Sequence, residues 1–226
     1  MTHPRDSDGT LRVSRSRDEV RRYYDRIARF YDLMAEASEG PVRREGLALL
    51  RAQPGERVIE LGCGTGRALA SLSRAVLPNG RVVGVDLSDG MLARARAHLE
   101  GTAGESVVEL VSADATELPF EPASYDAAFA SFALELFDGP EIPRVLAELS
   151  RVLRPGGRVV IVGMSREDPR EPWVRLFEWA HVHAPWLLDC RPVRVRRLLE
   201  DAGFAVDEVL ARRAFVPVEV VLARRR

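Results

Sequence analysis

From Arg17 onward the apolar positions return every three or four residues. Val20, Tyr23 and Tyr24, Ile27, Phe30 and Tyr31, and Met34 share one face of an amphipathic helical stretch. Gly40-Pro41 interrupts it, and Val42 to Leu50 reads as a second helix with Val42, Leu47 and Leu50 on its apolar side. After Pro54-Gly55 the rhythm changes to short apolar runs alternating with helical periods. Arg57–Leu61 is a first strand. Arg67–Val76, with Leu69, Leu72 and Val76 on one face, is a helix, and Pro78-Asn79-Gly80 makes the turn after it. Arg81–Asp86 is the next strand, and Ser88 offers an N-cap to the helix Asp89–Glu100, which has acid in its first turn and arginines further along. Ser106–Val111 and Tyr125–Ala130 are the third and fourth strands. Glu141–Leu153 is a helix, and Arg158–Gly163, preceded by Pro155-Gly156-Gly157, is a fifth strand.

Strands written as near-continuous Val, Ile and Leu must be covered on both faces, and their alternation with helices predicts an α/β fold with a mainly parallel sheet. The end of the chain breaks the rhythm. Val193–Asp201 is a helix stopped at Gly203, and Ala205–Ala214 and Phe215–Ala223 are two consecutive strands. Consecutive strands pair antiparallel, so the far edge of the sheet is expected to carry a hairpin-like ending. Residues 1–16 are polar, without periodicity, and read as a disordered tail.

A chain of 226 residues, 46% of them hydrophobic, holds one sizeable core, so residues 17–226 are expected to form a single domain. The formal net charge is −1, which provides no field to collect nucleic acid. Every basic side chain is arginine, so no lysine Schiff-base chemistry is available. No run approaches the roughly 20 apolar residues of a membrane span, and the first residues carry no apolar signal region, which points to the cytoplasm. Cys63 and Cys190 read as plain thiols, and no metal-ligand set is expected.

The chemistry gathers at the strand ends. Glu60-Leu61-Gly62-Cys63-Gly64-Thr65-Gly66 leaves the first strand and opens a helix. Its glycines permit a tight turn against which a ligand can lie on bare backbone. A dinucleotide fingerprint would need glycine at position 67, and Arg67 stands there. Asp86 ends the second strand about 20 residues beyond Gly66, where a carboxylate can accept ribose hydroxyls. Asp114, with Ala115, follows the third strand and can accept an adenine amino proton. Ala130-Ser131-Phe132-Ala133-Leu134-Glu135 ends the fourth strand on the same crevice.

Together with Leu118-Pro119-Phe120 and Leu153-Arg154-Pro155-Gly156-Gly157, these stretches resemble, in order and spacing over residues 24–165, the successive motifs of the class I S-adenosylmethionine-dependent methyltransferases. Tyr23-Tyr24-Asp25 through Phe30-Tyr31-Asp32 resembles the opening helix of their UbiE-like, quinone-biosynthesis and small-molecule branch. The resemblance implies a Rossmann-like, seven-stranded sheet with its last strand antiparallel, helices on both faces and an N-terminal helical lid over residues 17–50. It implies S-adenosyl-L-methionine as cofactor and S-adenosyl-L-homocysteine as product. Glu60, Gly62, Cys63, Gly64 and Gly66 would then hold the methionine portion and Asp86 the ribose. Leu87 and Met91 would flank the adenine, Asp114 and Ala115 would meet its amino edge, and Ser131 would border the methyl donor. Tyr24 and Tyr31 would close the lid, although aromatics at helical spacing read equally as core.

Methyl transfer from a sulfonium asks mainly for alignment and exclusion of water. Where a base is required, His181 and His183 are the candidates, within the tryptophan-rich stretch of Trp173, Trp179 and Trp186. Residues 164–190 are read as a substrate cap, and the same tryptophans would serve simple packing as well. The expected partner is a small apolar or aromatic acceptor, without nucleic acid, in a monomer or homodimer. Two alternatives remain open. One is a phospholipid N-methyltransferase meeting a membrane surface through Arg191, Arg194, Arg196 and Arg197, a run that also reads as a solvated helix face. The other is an S-adenosylmethionine-binding protein without catalysis.

Overall fold

The computed structural model describes residues 39–166, 191–213 and 216–226, together with Glu19 and Arg22. The tail 1–16, most of the expected lid, Tyr24 and Tyr31, and His181 and His183 lie outside the described residues.

The described chain runs from helix α1 (39–50) through strand β1 (Arg57–Leu61), helix α2 (Leu69–Val76), β2 (Arg81–Asp86) and α3 (Asp89–Leu99) to β3 (Val108–Ser112). It continues through β4 (Tyr125–Ser131), α4 (Ile142–Val152), β5 (Leu153–Met164), α5 (Val195–Asp201), β6 (Ala205–Arg213) and β7 (Pro217–Arg224). The strands form one seven-stranded sheet in the order β3-β2-β1-β4-β5-β7-β6. The first five are parallel to their neighbours, and β7 runs antiparallel to both β5 and β6. The hairpin expected at the far edge is present, but its second strand is inserted, so β6 is the edge and β7 lies inside.

Both faces of the sheet are buried through β2, β1, β4, β5 and β7, which is why these strands lack polar alternation, whereas the edge strands β3 and β6 are more exposed. One face carries Ile59, Leu61, Ala128, Ile161 and Val221 against Val145 and Leu149 of α4 and Leu199 of α5. The other carries Val58, Val82, Phe129 and Val160 against Leu50 of α1, Leu69 and Leu72 of α2 and Leu99 of α3.

Two element boundaries differ instructively from the local pattern. Gly40 and Pro41 lie within α1 rather than ahead of it. That helix packs on the sheet through Val42, Leu49 and Leu50, with Gly46 so close that a Cβ there would stand 2.6 Å from Val162 Cγ2. Tertiary contact thus overrides local helix propensity. β5 takes in Arg154-Pro155-Gly156-Gly157, which reads locally as a turn. Gly156 N–H donates to Arg225 O at 3.0 Å and Arg225 N–H to Gly157 O at 2.8 Å, so the chain's last residues hold this segment in the sheet.

Ser88 caps α3 as expected, its Oγ accepting the Met91 N–H at 3.1 Å. Ser88→Ala should cost about 1 kcal/mol, because the orphaned N–H would have no water within reach at a site 1% exposed. An unfolding midpoint unchanged in denaturant titration would refute this role for the hydroxyl.

Candidate functional site

The carboxyl ends of β1, β2 and β4 converge on the glycine loop, the crevice position at which open α/β sheets take their ligands. Gly62, Gly64 and Gly66 have φ of 64°, 52° and 80°, the left-handed region that favours glycine. Space around them is unequal. A Cβ on Gly62 would meet Ala133 Cβ at 2.7 Å, and one on Gly66 would meet Ala95 Cβ at 3.0 Å, whereas one on Gly64 has nothing within 4 Å among the described residues. Gly64 therefore presents bare backbone to open space, while its neighbours are locked against the β4 exit and α3.

Asp86 is wired into this loop. Its Oδ2 accepts the Gly64 N–H at 2.8 Å and its Oδ1 the Ser88 N–H at 2.9 Å. One carboxylate thus fixes the glycine loop and the start of α3 together. Cys63 N–H donates to Val85 O at 3.0 Å, stitching the loop to β2 as well. The Cys63 side chain is turned into the core beside Gly84, so only its backbone belongs to the loop. Burial pushes its thiol far above the usual range, with the charges of Asp86 and Glu60 acting in the same direction, so it is an inert thiol.

Asp114 closes a turn on itself: its Oδ1 accepts both the Thr116 N–H and the Thr116 hydroxyl at 2.8 Å. Ala115 beside it is buried, as is Met91, and Leu87 is half-buried. At the end of β4, Phe132 has φ of 53°, a strained conformation for an aromatic residue, of the kind that gathers at ligand sites.

Two buried polar atoms here have no hydrogen-bond partner among the described residues: Glu60 Oε2 and Ser131 Oγ. Glu60 is 3% exposed. Burial pushes its carboxyl well above the ordinary value, Arg43 opposes that, and Asp86 adds to it. A buried carboxyl oxygen without a partner is costly unless a cation or a donor meets it.

Sequence reasoning placed Glu135 in the crevice stretch at the end of the fourth strand but gave it no role. It lies in the 3-10 turn Leu134–Leu136, wholly buried, and its signal was an acid inside the otherwise apolar run Phe132-Ala133-Leu134-Glu135-Leu136. The arginine run does not act as one patch. Arg191 is 3% exposed and donates to Phe137 O at 3.1 Å, while Arg196 and Arg197 face Glu200 and Asp201 of their own helix.

Residues 58–157 match the family described as "Methyltransferase domain". A phosphatidylethanolamine N-methyltransferase from Cereibacter sphaeroides is 41% identical over 151 residues, which are 67% of this chain and 70% of that enzyme. A 2-phytyl-1,4-naphtoquinone methyltransferase from Synechococcus elongatus is 37% identical over 131 residues, 58% of this chain, and the chain spans only 54% of that relative's length. The solved structure of a geranyl diphosphate methyltransferase in complex with SAM superposes with a TM-score of 0.67 over 82% of this chain and 85% of that one, at 19% identity, a likeness of fold. The chain belongs to the class I S-adenosylmethionine-dependent methyltransferases. S-adenosylmethionine is the cofactor of that family, and the crevice offers what it needs: an open glycine backbone and a buried carboxyl oxygen with no hydrogen-bond partner among the described residues.

Proposed function

We propose that the chain transfers a methyl group from S-adenosylmethionine to a small apolar or aromatic acceptor. The observation that carries this is Glu60, a buried carboxyl with an unanswered oxygen at the mouth of a loop whose Gly64 stands open. In this reading the ammonium of the methionine portion meets Glu60, and its chain lies along Gly62, Gly64 and Gly66. The outer lone pairs of Asp86 receive the ribose hydroxyls. Leu87 and Met91 flank the adenine, Asp114 and Ala115 meet its amino edge, and Ser131 borders the reacting centre. Bound there, the cofactor supplies a methyl group on a sulfonium, an already activated leaving group. The protein's part is to align the acceptor and exclude water. Tyr24 and Tyr31 are assigned to the lid of residues 17–50, residues 164–190 to the acceptor cap, and both to the same domain 17–226. His181 and His183, in that cap, remain candidates for a general base where the acceptor needs one.

The quinone-methylating relative supports an aromatic acceptor. The lipid-methylating relative supports a second reading, a phospholipid head group at a membrane surface. Arg196 and Arg197, facing acids on their own helix, weigh against the arginine run as its binding site. No helix among the described residues is long and apolar enough to cross a membrane. We place the protein in the cytoplasm, as a monomer or homodimer. Calorimetry with S-adenosylmethionine and S-adenosylhomocysteine, followed by labelled-methyl transfer to 2-phytyl-1,4-naphthoquinol and to phosphatidylethanolamine vesicles, tests the proposal. Absence of cofactor binding would overturn it. Tight binding without transfer to any of a broad acceptor panel would favour a non-catalytic binding protein.

A further inference from the structure

Glu135 is buried without residual exposure at the junction of β4, β5 and α5. Its Oε1 accepts the Met164 N–H at 2.6 Å, while its Oε2 has no partner among the described residues. β5 leaves room for it: a Cβ on Gly163 would stand 3.0 Å from Glu135 Oε1 and 2.9 Å from Val195 Cγ2. The surroundings tie this carboxyl to the crevice. Two residues earlier, Ala133 is the side chain that Gly62 of the glycine loop approaches. Next to it, residues 164–166 run beside Val193, with Arg166 N–H donating to Val193 O at 3.2 Å and Val193 N–H to Met164 O at 2.9 Å. Oε1 answers the Met164 N–H, which an apolar side chain would leave orphaned, whereas Oε2 is a buried oxygen that the packing of the described residues does not use.

Resting on the methyltransferase reading above, we propose that Glu135 takes the proton of the methyl acceptor, which is therefore a protic nucleophile: a quinol or phenol hydroxyl, or an ammonium nitrogen. The acceptor's bond to hydrogen breaks, and the proton passes to Glu135 Oε2. The electron pair left on the acceptor forms the new bond to the methyl carbon, and the pair of the broken carbon–sulfur bond stays on sulfur. Glu135 then gives the proton to water.

The charge environment is consistent with this work. Burial pushes Glu135 up to about 8, partly offset by the Met164 N–H and reinforced by the charge of Glu39 from α1. The same elements also carry Glu219, opposite Gly163 in the β5–β7 register, buried Arg166, two residues beyond Met164, and Arg191, bonded to Phe137 O. A carboxyl near 8 becomes a competent base as pH rises through that value.

The experiment compares wild type with Glu135→Gln, which keeps size and the bond to Met164 N–H. Labelled-methyl transfer to 2-phytyl-1,4-naphthoquinol and to phosphatidylethanolamine vesicles is followed from pH 6 to pH 10, with infrared spectra of both proteins. Glu135→Gln should lower kcat roughly a hundred- to ten-thousand-fold on whichever probe is used, abolish the rise in rate centred near pH 8, and leave cofactor affinity within twofold. The wild-type-minus-variant infrared spectrum should show a protonated carboxyl band that disappears above that pH. A variant that keeps both the rate and the alkaline rise, or a carboxyl already ionised at pH 6, overturns the proposal while leaving the methyltransferase reading intact. Wild-type protein that binds no S-adenosylmethionine overturns both, and wild-type protein that binds it but shows no carboxyl band titrating near pH 8 overturns the Glu135 assignment alone. Glu135→Asp, shorter by one methylene, should restore the pH-dependent limb at reduced rate, which a purely structural role would not.

Discussion

Asp86→Ala is expected to weaken S-adenosylmethionine binding about 10- to 100-fold and to destabilise the ligand-free protein as well. Ribose recognition alone would account for about 1–3 kcal/mol, the range for hydrogen bonds to a charged group. The same carboxylate accepts the Gly64 N–H at 2.8 Å and the Ser88 N–H at 2.9 Å. Alanine therefore removes the anchor that holds the open glycine backbone in register with α3, and it leaves two backbone donors without their acceptor. Calorimetry gives the affinity and chemical denaturation the stability. Asp86→Asn separates the two effects, since its side-chain carbonyl can serve one of the two N–H groups while the charge is gone. Unchanged affinity in Asp86→Ala would show that the ribose lies elsewhere. Unchanged stability with reduced affinity would show that the loop holds its shape without the carboxylate.

Asp86 also illustrates what was legible beforehand. The bounds of β1 and β2 and the Ser88 cap follow from local pattern, because a strand buried on both faces and a helix N-terminus each leave a signature a few residues long. The glycine loop and the strand-end acids follow from spacing, since parallel strands bring residues distant in sequence to one crevice. What was not legible depends on contacts between distant segments. β7 slips between β5 and β6 through pairing that no local run encodes, and Arg154-Pro155-Gly156-Gly157 stays in the sheet because Arg225 holds it there. Cys63 sits among the loop residues in sequence, yet its side chain belongs to the core. Arg191, read with its neighbours as one basic face, is buried against Phe137 O, whereas Arg196 and Arg197 are on the surface. The place of Glu135 was legible but its burial was not, for the same reason: only the fold shows which elements close over an acid in an apolar run.

That burial has a consequence for stability that does not depend on catalysis. Glu135 is pushed up from 4.5 to about 8 by burial, so the folded state holds its proton over a range in which the unfolded chain has released it. The contribution is fully present below about pH 4.5 and is lost as pH rises through about 8. At about 1.4 kcal/mol for each tenfold difference in proton affinity, the loss is on the order of 5 kcal/mol. Glu60, raised by burial in the same direction, adds to the decline. Two half-buried carboxylates run the other way. Glu148 is held low by the Arg151 guanidinium, and in Glu56 the bonds from Arg158 and the Gln53 N–H outweigh the effect of burial. Their contributions are present above the unfolded value and are lost as pH falls through their lower folded ones, so they trim stability only at the acid end. The unfolding free energy should therefore peak in the mildly acidic range and fall toward pH 9. Glu135→Gln, which carries no titrating group, should flatten most of that fall, ending more stable than wild type at pH 9 while lying near it at pH 5. Urea titrations of both proteins at those two pH values decide the matter. If the two profiles run parallel, the Glu135 carboxyl is solvated in the folded protein.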